Sequence, residues 1–189
     1  MGVFSYSPEK TIQRAEAAVA AKRARGPLTG VFWLKGIVLS LVVAGAIVAL
    51  AHRFSIGIAT QESLCLPPYR IWVIDKYDTT PVRGEIFAFK SAGLEPVFND
   101  GTLVVKVLEG MPGDRVEVTL DQSFVNGAVV ATGLQVAHDQ GVDPARYVRT
   151  GTIADDRYWF FGKTADSFDS RYWGSVGGSQ IIGKAYPIW

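Results

Sequence analysis

The chain has 189 residues, of which 48% are hydrophobic and 20% are charged, with a formal net charge of +1. This composition excludes an intrinsically disordered protein, and the 20 glycines favour a turn-rich fold. Six of the 19 basic residues but only two of the 18 acidic residues precede residue 36. A basic N-terminal segment ahead of a mildly acidic remainder argues against nucleic acid as the main partner and indicates a membrane topology signal.

The cysteine and histidine content limits the possible site chemistry. Cys65 is the only cysteine, and the two histidines, His52 and His138, lie far apart in the sequence. One cysteine cannot form an intramolecular disulfide, and no cluster of Cys and His predicts a metal site. We therefore expect no metal and no cofactor, and we expect Cys65 to be buried, paired with another chain or chemically reactive.

The first predicted element is a short basic helix. Ser7 is expected to be its N-cap, with Pro8 in the first helical position and Glu9 near the positive end of the helix dipole. The following residues, 10–25, are rich in alanine and basic side chains. Residues 1–30 are predicted to be a basic cytoplasmic segment whose helix either lies at the membrane interface or is simply solvated.

An apolar segment follows, since residues 31–51 are apolar apart from Lys35 and Ser40. About 21 residues at roughly 1.5 Å each span about 31 Å, close to the hydrocarbon thickness of a bilayer. We predict a single-pass anchor over residues 31–53, with the N-terminus in the cytoplasm because the cationic flank precedes it. A cleavable signal peptide is the alternative, because residues 49–51 have the small-x-small form.

The remainder, residues 54–189, is predicted to be one mainly β domain. Segments rich in β-branched and aromatic residues and bounded by Pro and Gly predict strands at 69–74, 85–89, 103–108, 115–120, 158–162 and 180–186, and residues 124–130 are predicted to be a hairpin. Pro112-Gly113 suits the centre of a type II turn and is expected to join a hairpin. Asn126-Gly127 predicts a second hairpin with a type I′ turn, and residues 132–150 are expected to be a loop or insertion.

Lys106 is the unusual residue of this domain, because it lies inside an aliphatic strand. Strand alternation places it on one face with Val104 and Leu108. Aliphatic surroundings disfavour an ammonium relative to a neutral amine, so Lys106 is a candidate general base. The alternative is an edge-strand lysine that extends into water.

Four segments occur in an order that resembles a known family. They are residues 61–76, with Ser63-Leu-Cys-Leu-Pro67; residues 83–89, with Arg83-Gly-Glu; residues 105–114, with Lys106 and Pro112-Gly-Asp114; and residues 161–174, with Ser167-Phe-Asp-Ser-Arg171. Together they resemble the bacterial type I signal peptidases, and most closely the TraF-type proteases of conjugative plasmid transfer. The resemblance covers about two-thirds of the chain, from residue 61 to the C-terminus.

The resemblance implies a signal-peptidase-like β-barrel or β-sandwich domain that holds a Ser-Lys type protease site. Lys106 would be the general base that takes a proton from the nucleophile. Ser167 and Asp169 match the family positions that orient the lysine and its proton, with Arg171 pairing the Asp169 carboxylate. Structural support is expected from four further residues: Arg83, Arg171, Gly113 and Asp114.

The nucleophile is where this sequence departs from the family pattern. Gapless alignment on Leu66-Pro67 places Cys65 at the position of the usual serine, and Ser63 lies two residues earlier. In an extended segment both side chains point to the same side, so geometry alone does not choose between them. We expect the nucleophile to be Cys65 or Ser63. A thiol loses its proton more readily than a serine hydroxyl, so Cys65 is chemically competent.

The function that the resemblance implies is processing of exported precursors, such as a conjugative pilin, after small residues, for plasmid transfer or type IV secretion. The protein would lie in the bacterial inner membrane with its catalytic domain in the periplasm, and its partners would be the precursor protein and the membrane. A general type I signal peptidase is one alternative, although its usual Ser-Met before the proline is missing here. A non-catalytic envelope assembly protein on the same fold is the other.

Overall fold

The computed structural model describes residues 8–24, 29–61, 63–95 and 97–189. The chain divides into two compact units, Met1–Val48 and Ala49–Trp189. In the first unit, helix α1 spans Pro8–Ala24 and begins with proline, whose fixed φ suits the first helical turn. The cap expected at Ser7 lies outside the described residues.

Helix α2 spans Gly30–Arg53 and has a mean hydropathy of 2.4 over its most apolar window. At about 1.5 Å per residue, such a helix is long enough to cross the hydrocarbon layer of a membrane. Within the described ranges it is the one helix that passes this test of length and composition. Its large apolar side chains, such as Leu41 and Val42, are exposed rather than packed against protein, as suits an apolar span.

Eleven strands form the second unit. Their bounds are β1 Phe54–Ile58, β2 Ile71–Asp75, β3 Ile86–Lys90, β4 Leu103–Gly110, β5 Arg115–Val118, β6 Gln122–Val125, β7 Ala128–Thr132, β8 Arg149–Thr152, β9 Arg157–Phe161, β10 Val176–Gly177 and β11 Ile181–Pro187. Seven form an antiparallel sheet in the order β1-β2-β11-β3-β4-β9-β10. The other four form a second antiparallel sheet in the order β7-β6-β5-β8. The mainly β prediction is confirmed.

The larger sheet curls until its edge strand β1 lies against the interior strand β4. A Cβ atom added at Gly57 of β1 would lie 3.2 Å from Leu103 of β4. Both faces of the sheet are covered by apolar side chains. One cluster includes Trp72, Ile74 and Val107, and the other consists of Phe87, Phe89, Val104, Leu108, Phe160 and Val176. From Val104 to Gly110 the residues of β4 are buried or half-buried, whereas Leu103 at its start is exposed.

The smaller sheet packs on the end of the larger one through a third apolar cluster. This cluster joins residues of β5 and β6 to residues of β9 and helix α4, which spans Ser170–Trp173. Trp159 and Phe161 supply its aromatic centre on β9. The segment that carries the predicted Ser167, Asp169 and Arg171 follows β9 and therefore lies where the two sheets meet.

The hairpin predicted around Pro112-Gly113 is wrong. Gly113 has φ +86 and the Asp114 N–H donates to Met111 O at 3.1 Å, so the turn itself forms as predicted. However, β4 belongs to the larger sheet and β5 to the smaller one. Type II turns splay the strands that they connect, because their twist does not match that of a hairpin. The register of Lys106 is set instead by β3, where it pairs with Phe87.

The structure confirms one of the other turn and loop predictions and corrects another. Asn126 and Gly127 have φ of +51 and +82 and join β6 to β7, so the type I′ hairpin is confirmed. The loop expected at residues 132–150 is partly wrong, because it contains helix α3 at Gln135–Asp139 and leads into β8. Strand β1 was not predicted, since it directly continues the apolar helix α2 and carries no boundary signal.

Candidate active site

Lys106 is buried at the centre of the candidate site. Its side chain is 2% exposed, and its Nζ lies 2.6 Å from Ser167 Oγ. Since the side chain is buried and its amine contacts Ser167, the alternative of an edge-strand lysine reaching into water is wrong. The described hydrogen-bond partner of Lys106 is the hydroxyl of Ser167, the residue predicted to orient it. That Lys106 is the catalytic base stays a prediction.

Asp169 is hydrogen-bonded to Arg171 and not directly to Lys106 in the described part of the chain. Its carboxylate accepts two hydrogen bonds from the Arg171 guanidinium, both at 2.8 Å, and one from the Gly162 N–H at 3.1 Å. In the described part of the chain no hydrogen bond joins Asp169 to Lys106. Arg171 in turn donates to Ser167 O at 3.0 Å. Among the described hydrogen bonds, Asp169 is connected to the lysine through Arg171 and Ser167.

Arg171 connects the site to the smaller sheet. Its side chain is fully buried, and its Nη1 donates to the carbonyls of Thr132 and Gly133, at 2.7 and 2.9 Å, at the end of β7. A buried guanidinium is tolerated only when its donors are satisfied and its charge is paired, and Asp169 provides the charge. This pair thus holds the segment that carries Ser167 between the two sheets.

Gly162 is a residue whose importance the sequence analysis missed. A Cβ atom at this position would lie 2.1 Å from Ser167 Oγ and 3.1 Å from Cys65 O. Glycine is therefore needed for the Ser167 hydroxyl and the Cys65 main chain to approach the end of β9 together. The only signal in the sequence was a glycine directly after an aromatic strand, and glycines at strand ends more often mark a bulge or a bend.

Cys65 is half-buried and is hydrogen-bonded to the segment that follows β9. Its carbonyl accepts a hydrogen bond from the Lys163 N–H at 2.7 Å, and its Sγ lies 3.3 Å from Gln61 Nε2. Both Cys65 and Lys106 line one cleft. The structure thus brings the predicted thiol, the lysine and Ser167 to one place.

Ser63 is placed differently from Cys65. It is exposed, and its hydroxyl donates to the Asp166 carboxylate, the residue directly before Ser167. This hydrogen bond is the main cause that holds the pKa of Asp166 below its usual value. Ser63 does not line the cleft that Cys65 and Lys106 share. The geometry favours Cys65, and the identity of the nucleophile stays a prediction.

The cleft has a volume of about 340 Å³ and mostly apolar walls. Leu66 and Trp72, both buried, line it together with residues of β4 and with Gly57 and Ile58 of β1. Strand β9 pairs with β4 only from Val107 onward, which leaves one backbone edge of the preceding residues open toward the cleft. A chain in extended conformation fits such a space.

Arg83 and Asp114, expected to give structural support, form an ion pair at 2.7 Å. Arg83 also donates to Glu109 O, while the Met111 N–H and the Asn126 side chain donate to Asp114 at 2.6 and 2.7 Å. Burial alone would raise the pKa of Asp114, but these hydrogen bonds outweigh it and lower the pKa below the ordinary value. The pair stabilises the turn at Gly113, away from the cleft.

Residues suited to a metal are not grouped in this site. Across the described ranges, no three His, Cys, Asp or Glu side chains are placed to share an ion. The thiol, amine and hydroxyl groups that meet at the cleft are of the types that can support attack on a carbonyl with proton transfer to a lysine.

Comparisons with known proteins identify the family. The family profile described as "Signal peptidase, peptidase S26" matches residues 31–189. A probable signal peptidase I-2 of Synechocystis is 31% identical over 107 residues, 56% of this chain and 47% of the relative, so the chain spans about half the length of that protein. The conjugal transfer protein TraF of Agrobacterium fabrum is 23% identical over 166 residues, 80% of this chain and 91% of the relative.

A crystal structure of a signal peptidase I from Enterococcus faecalis aligns with 56% of this chain and 96% of its own, at 27% identity. Its TM-score is 0.37, too low to support an argument about geometry. The family profile does not depend on that alignment, since it covers more than four-fifths of the chain, including every segment of the candidate site. The chain therefore belongs to the signal peptidase family, peptidase S26.

Proposed function

We propose that this protein is a membrane-anchored endopeptidase that processes exported precursors, such as a conjugative pilin, by cleavage after small residues. The observation that carries the proposal is the buried contact between Lys106 Nζ and Ser167 Oγ in the cleft that Cys65 also lines. Family membership supports the peptidase class, and the similarity to a protein named TraF supports a role in conjugal transfer.

The proposed reaction starts with transfer of the Cys65 proton to a neutral Lys106. The sulfur attacks the scissile carbonyl, the new S–C bond forms, and the carbonyl π electrons move to oxygen. Collapse of this intermediate breaks the C–N bond, and Lys106 returns the proton to the leaving amine. Water then attacks the thioester carbon, so that a C–O bond forms while Lys106 accepts a proton from the water. Collapse of this second intermediate breaks the C–S bond, and Lys106 returns the proton to the released thiolate.

Ser167 and the groups behind it support the base in this scheme. A lysine side chain is flexible, so its amine acts efficiently only if another group fixes its direction. The Ser167 hydroxyl does this at 2.6 Å, and Arg171 holds the Ser167 carbonyl. Asp169 anchors Arg171. We therefore assign Ser167 a direct orienting role and Asp169 an indirect one.

Substrate binding is proposed to use the open backbone edge of β4. An extended peptide that lies between this edge and β1 would gain main-chain hydrogen bonds, as in other cases of strand addition. The apolar residues that line the cleft, among them Leu66 and Trp72, favour small apolar side chains next to the cleaved bond.

We place α2 in the bacterial inner membrane, with the N-terminus in the cytoplasm and the β domain in the periplasm. The basic residues ahead of and at the start of α2, including Arg14, Lys22 and Lys35, outnumber the acidic ones there and support this orientation. The substrates in this arrangement are precursors that reach the outer face of the membrane.

The test is to follow processing of a pilin precursor in membranes that contain the wild-type protein, Cys65→Ala, Cys65→Ser or Ser63→Ala. We expect loss of processing in Cys65→Ala, partial activity in Cys65→Ser and near-normal activity in Ser63→Ala. Mass spectrometry of a trapped acyl-enzyme identifies the acylated residue. Full processing by both Cys65→Ala and Ser63→Ala would contradict the proposal, and accumulation of many unrelated precursors on loss of the gene would identify a general signal peptidase instead.

A further inference from the structure

The cleft contains residues that belong to both faces of β4. Its Leu66 and Trp72 are members of the apolar cluster that includes Val107, on one face of that strand. An extended peptide presents successive side chains to opposite sides, so a peptide along the open edge of β4 sends every second side chain toward this cluster. The side chains in between point toward the other face of β4.

Phe98 is the cleft residue that belongs to this other face. It lines the cleft together with Lys106 and packs against the apolar cluster that contains Val104. Val104 and Lys106 share the face of β4 that is opposite to Val105. An aromatic ring is therefore placed on the side of the cleft where Lys106 lies, away from Leu66.

We propose that Phe98 is a specificity-determining residue that binds the second side chain before the cleaved bond and favours a large apolar or aromatic one. The small first residue is proposed to face Leu66 and Trp72. Because side chains alternate along an extended chain, the third residue faces the same way and the second faces Phe98. The four segments that resemble the family do not include Phe98, so the resemblance gave it no role.

Two neighbouring rings fix the position of the Phe98 ring. Its centroid lies 5.8 Å from that of Phe168 and 6.0 Å from that of Trp173, and those two centroids lie 5.0 Å apart. Aromatic pairs attract each other at centroid separations of about 4.5 to 7 Å. Phe98 is half-buried and lines the cleft, so part of its surface packs on these rings and part stays open to a peptide side chain.

The loop that carries Phe98, between β3 and β4, is closed by its own hydrogen bonds. The Ser91 N–H donates to Thr102 O at 2.9 Å, and the Ser91 hydroxyl donates to Asn99 O at 2.7 Å and accepts from the Thr102 N–H at 3.0 Å. The Phe98 N–H donates to Leu94 O at 3.1 Å. A ring on a closed loop loses little conformational freedom when it binds a side chain, and this increases its selectivity.

The contact with Phe98 favours only a side chain that is long enough to reach the ring. A large apolar side chain and the ring remove apolar surface of each other from water, whereas a serine leaves the ring without a partner. The ring does not contact the reacting atoms, so it stabilises the bound substrate and the transition state alike. The preference is therefore expected in KM rather than in kcat.

This inference rests on the proposed function, and its test measures cleavage by the full chain in liposomes. The probes are two quenched fluorescent peptides with Ala-Phe-Ala or Ala-Ser-Ala before the cleaved bond. We expect the wild type to cleave the phenylalanine peptide with a kcat/KM roughly three- to tenfold higher, the usual size of an aromatic contact, mainly through a lower KM. Phe98→Ala should make the two values about equal, while cleavage of the serine peptide stays near the wild-type rate.

Further variants and a third peptide separate recognition from a structural role. Phe98→Tyr keeps the ring and should keep the preference, and Phe98→Leu keeps an apolar side chain of similar size and should show a reduced one. Val97→Ala is the matched control, because this exposed neighbour on the same loop does not line the cleft. A peptide with Ala-Ala-Phe before the cleaved bond should resist the wild type and Phe98→Ala alike, since its large first residue faces Leu66 and Trp72.

The outcomes distinguish the inference from the function beneath it. If the wild type cleaves both peptides equally well, or if Phe98→Ala keeps the wild-type preference, the inference is overturned and the protease stands. An equal loss of cleavage of both peptides in Phe98→Ala and Phe98→Leu shows a structural role only and also overturns it. If the wild type cleaves neither peptide, or if Lys106→Met cleaves them as well as the wild type does, the proposed function itself fails.

Discussion

The role proposed for Lys106 depends on its burial and on its contact with Ser167. Most lysines extend into water, but this side chain is 2% exposed and has the Ser167 hydroxyl as its described hydrogen-bond partner. A hydroxyl can donate to an amine as well as accept from it. The contact with Ser167 therefore gives the amine a fixed direction, which proton transfer requires.

Replacement of Lys106 by Met tests this role directly. The thioether has a similar length and fits the aliphatic face of β4, so we expect the free energy of unfolding to change by about 1 kcal/mol, the cost of the lost hydrogen bond. Processing should fall by roughly 10²- to 10⁴-fold, the usual contribution of a general base. Precursor cleavage and chemical denaturation measure the two effects.

The control for this substitution is Lys163→Met, an exposed lysine on the adjacent segment. It should leave cleavage unchanged, because its side chain does not line the cleft. Unimpaired cleavage by Lys106→Met would show that another group takes the proton from the nucleophile.

At the scale of elements, the segment from the end of β9 to α4 is the main determinant of the site. It carries Ser167, Asp169 and Arg171, and its Lys163 N–H binds the Cys65 carbonyl. The motif resemblance predicted the three side chains, with Arg171 as the partner of the Asp169 carboxylate, and the structure contains that pair. The described hydrogen bonds of Asp169 run to Arg171 and Gly162, while the Lys106 amine contacts the Ser167 hydroxyl.

Gly162→Ala is expected to disrupt this element without unfolding the domain. The new methyl group would overlap Ser167 Oγ, so the hydroxyl must move away from Lys106. We expect kcat to fall by at least about tenfold with KM little changed, because positioning rather than binding is lost. Gly151→Ala, where the structure leaves open space around the added carbon, is the control. Equal activity of both variants would show that the Ser167 contact is dispensable.

The Arg83–Asp114 pair makes a pH-dependent contribution at the same scale. The folded-state pKa of Asp114 is below its ordinary value, so the stabilisation is present above roughly pH 4 and is lost as the pH falls through the folded-state value. In Asp114→Asn, urea unfolding should show a deficit near pH 7 that shrinks in acid. Asp121→Asn, an exposed aspartate, should show no such convergence. A deficit of equal size at neutral and at acid pH would contradict the assignment.

For the whole molecule, the decisive property is that an apolar helix precedes a β domain. We expect Leu41→Arg combined with Val42→Arg to reduce membrane association, since each arginine near the centre of a span costs about 2.5 to 3.5 kcal/mol. Extraction of membranes at alkaline pH measures the retained fraction. Leu120→Arg, an exposed position of the β domain, is the control and should stay in the pellet. Equal retention of the double variant would contradict a membrane-spanning α2.

The sequence by itself determined the features that depend on neighbouring residues. An apolar run long enough for a bilayer, strands rich in β-branched residues, a type I′ turn at Asn126-Gly127 and a lysine among aliphatic residues are all local properties, and each is present in the structure. The motif resemblance added the family, because ordered short segments record a shared site even where overall identity is low.

Only the tertiary structure decided which of these residues meet. Lys106 and Ser167 are 61 positions apart, and Ser63 and Asp166 are 103 positions apart. Such contacts depend on how the two sheets pack. That packing results from many apolar contacts between residues that are distant in the sequence, so no local pattern predicts it. That packing places the strands on either side of Pro112-Gly113 in different sheets. It also brings Ser167 and Cys65 close to Gly162, and it makes Cys65 rather than Ser63 line the cleft.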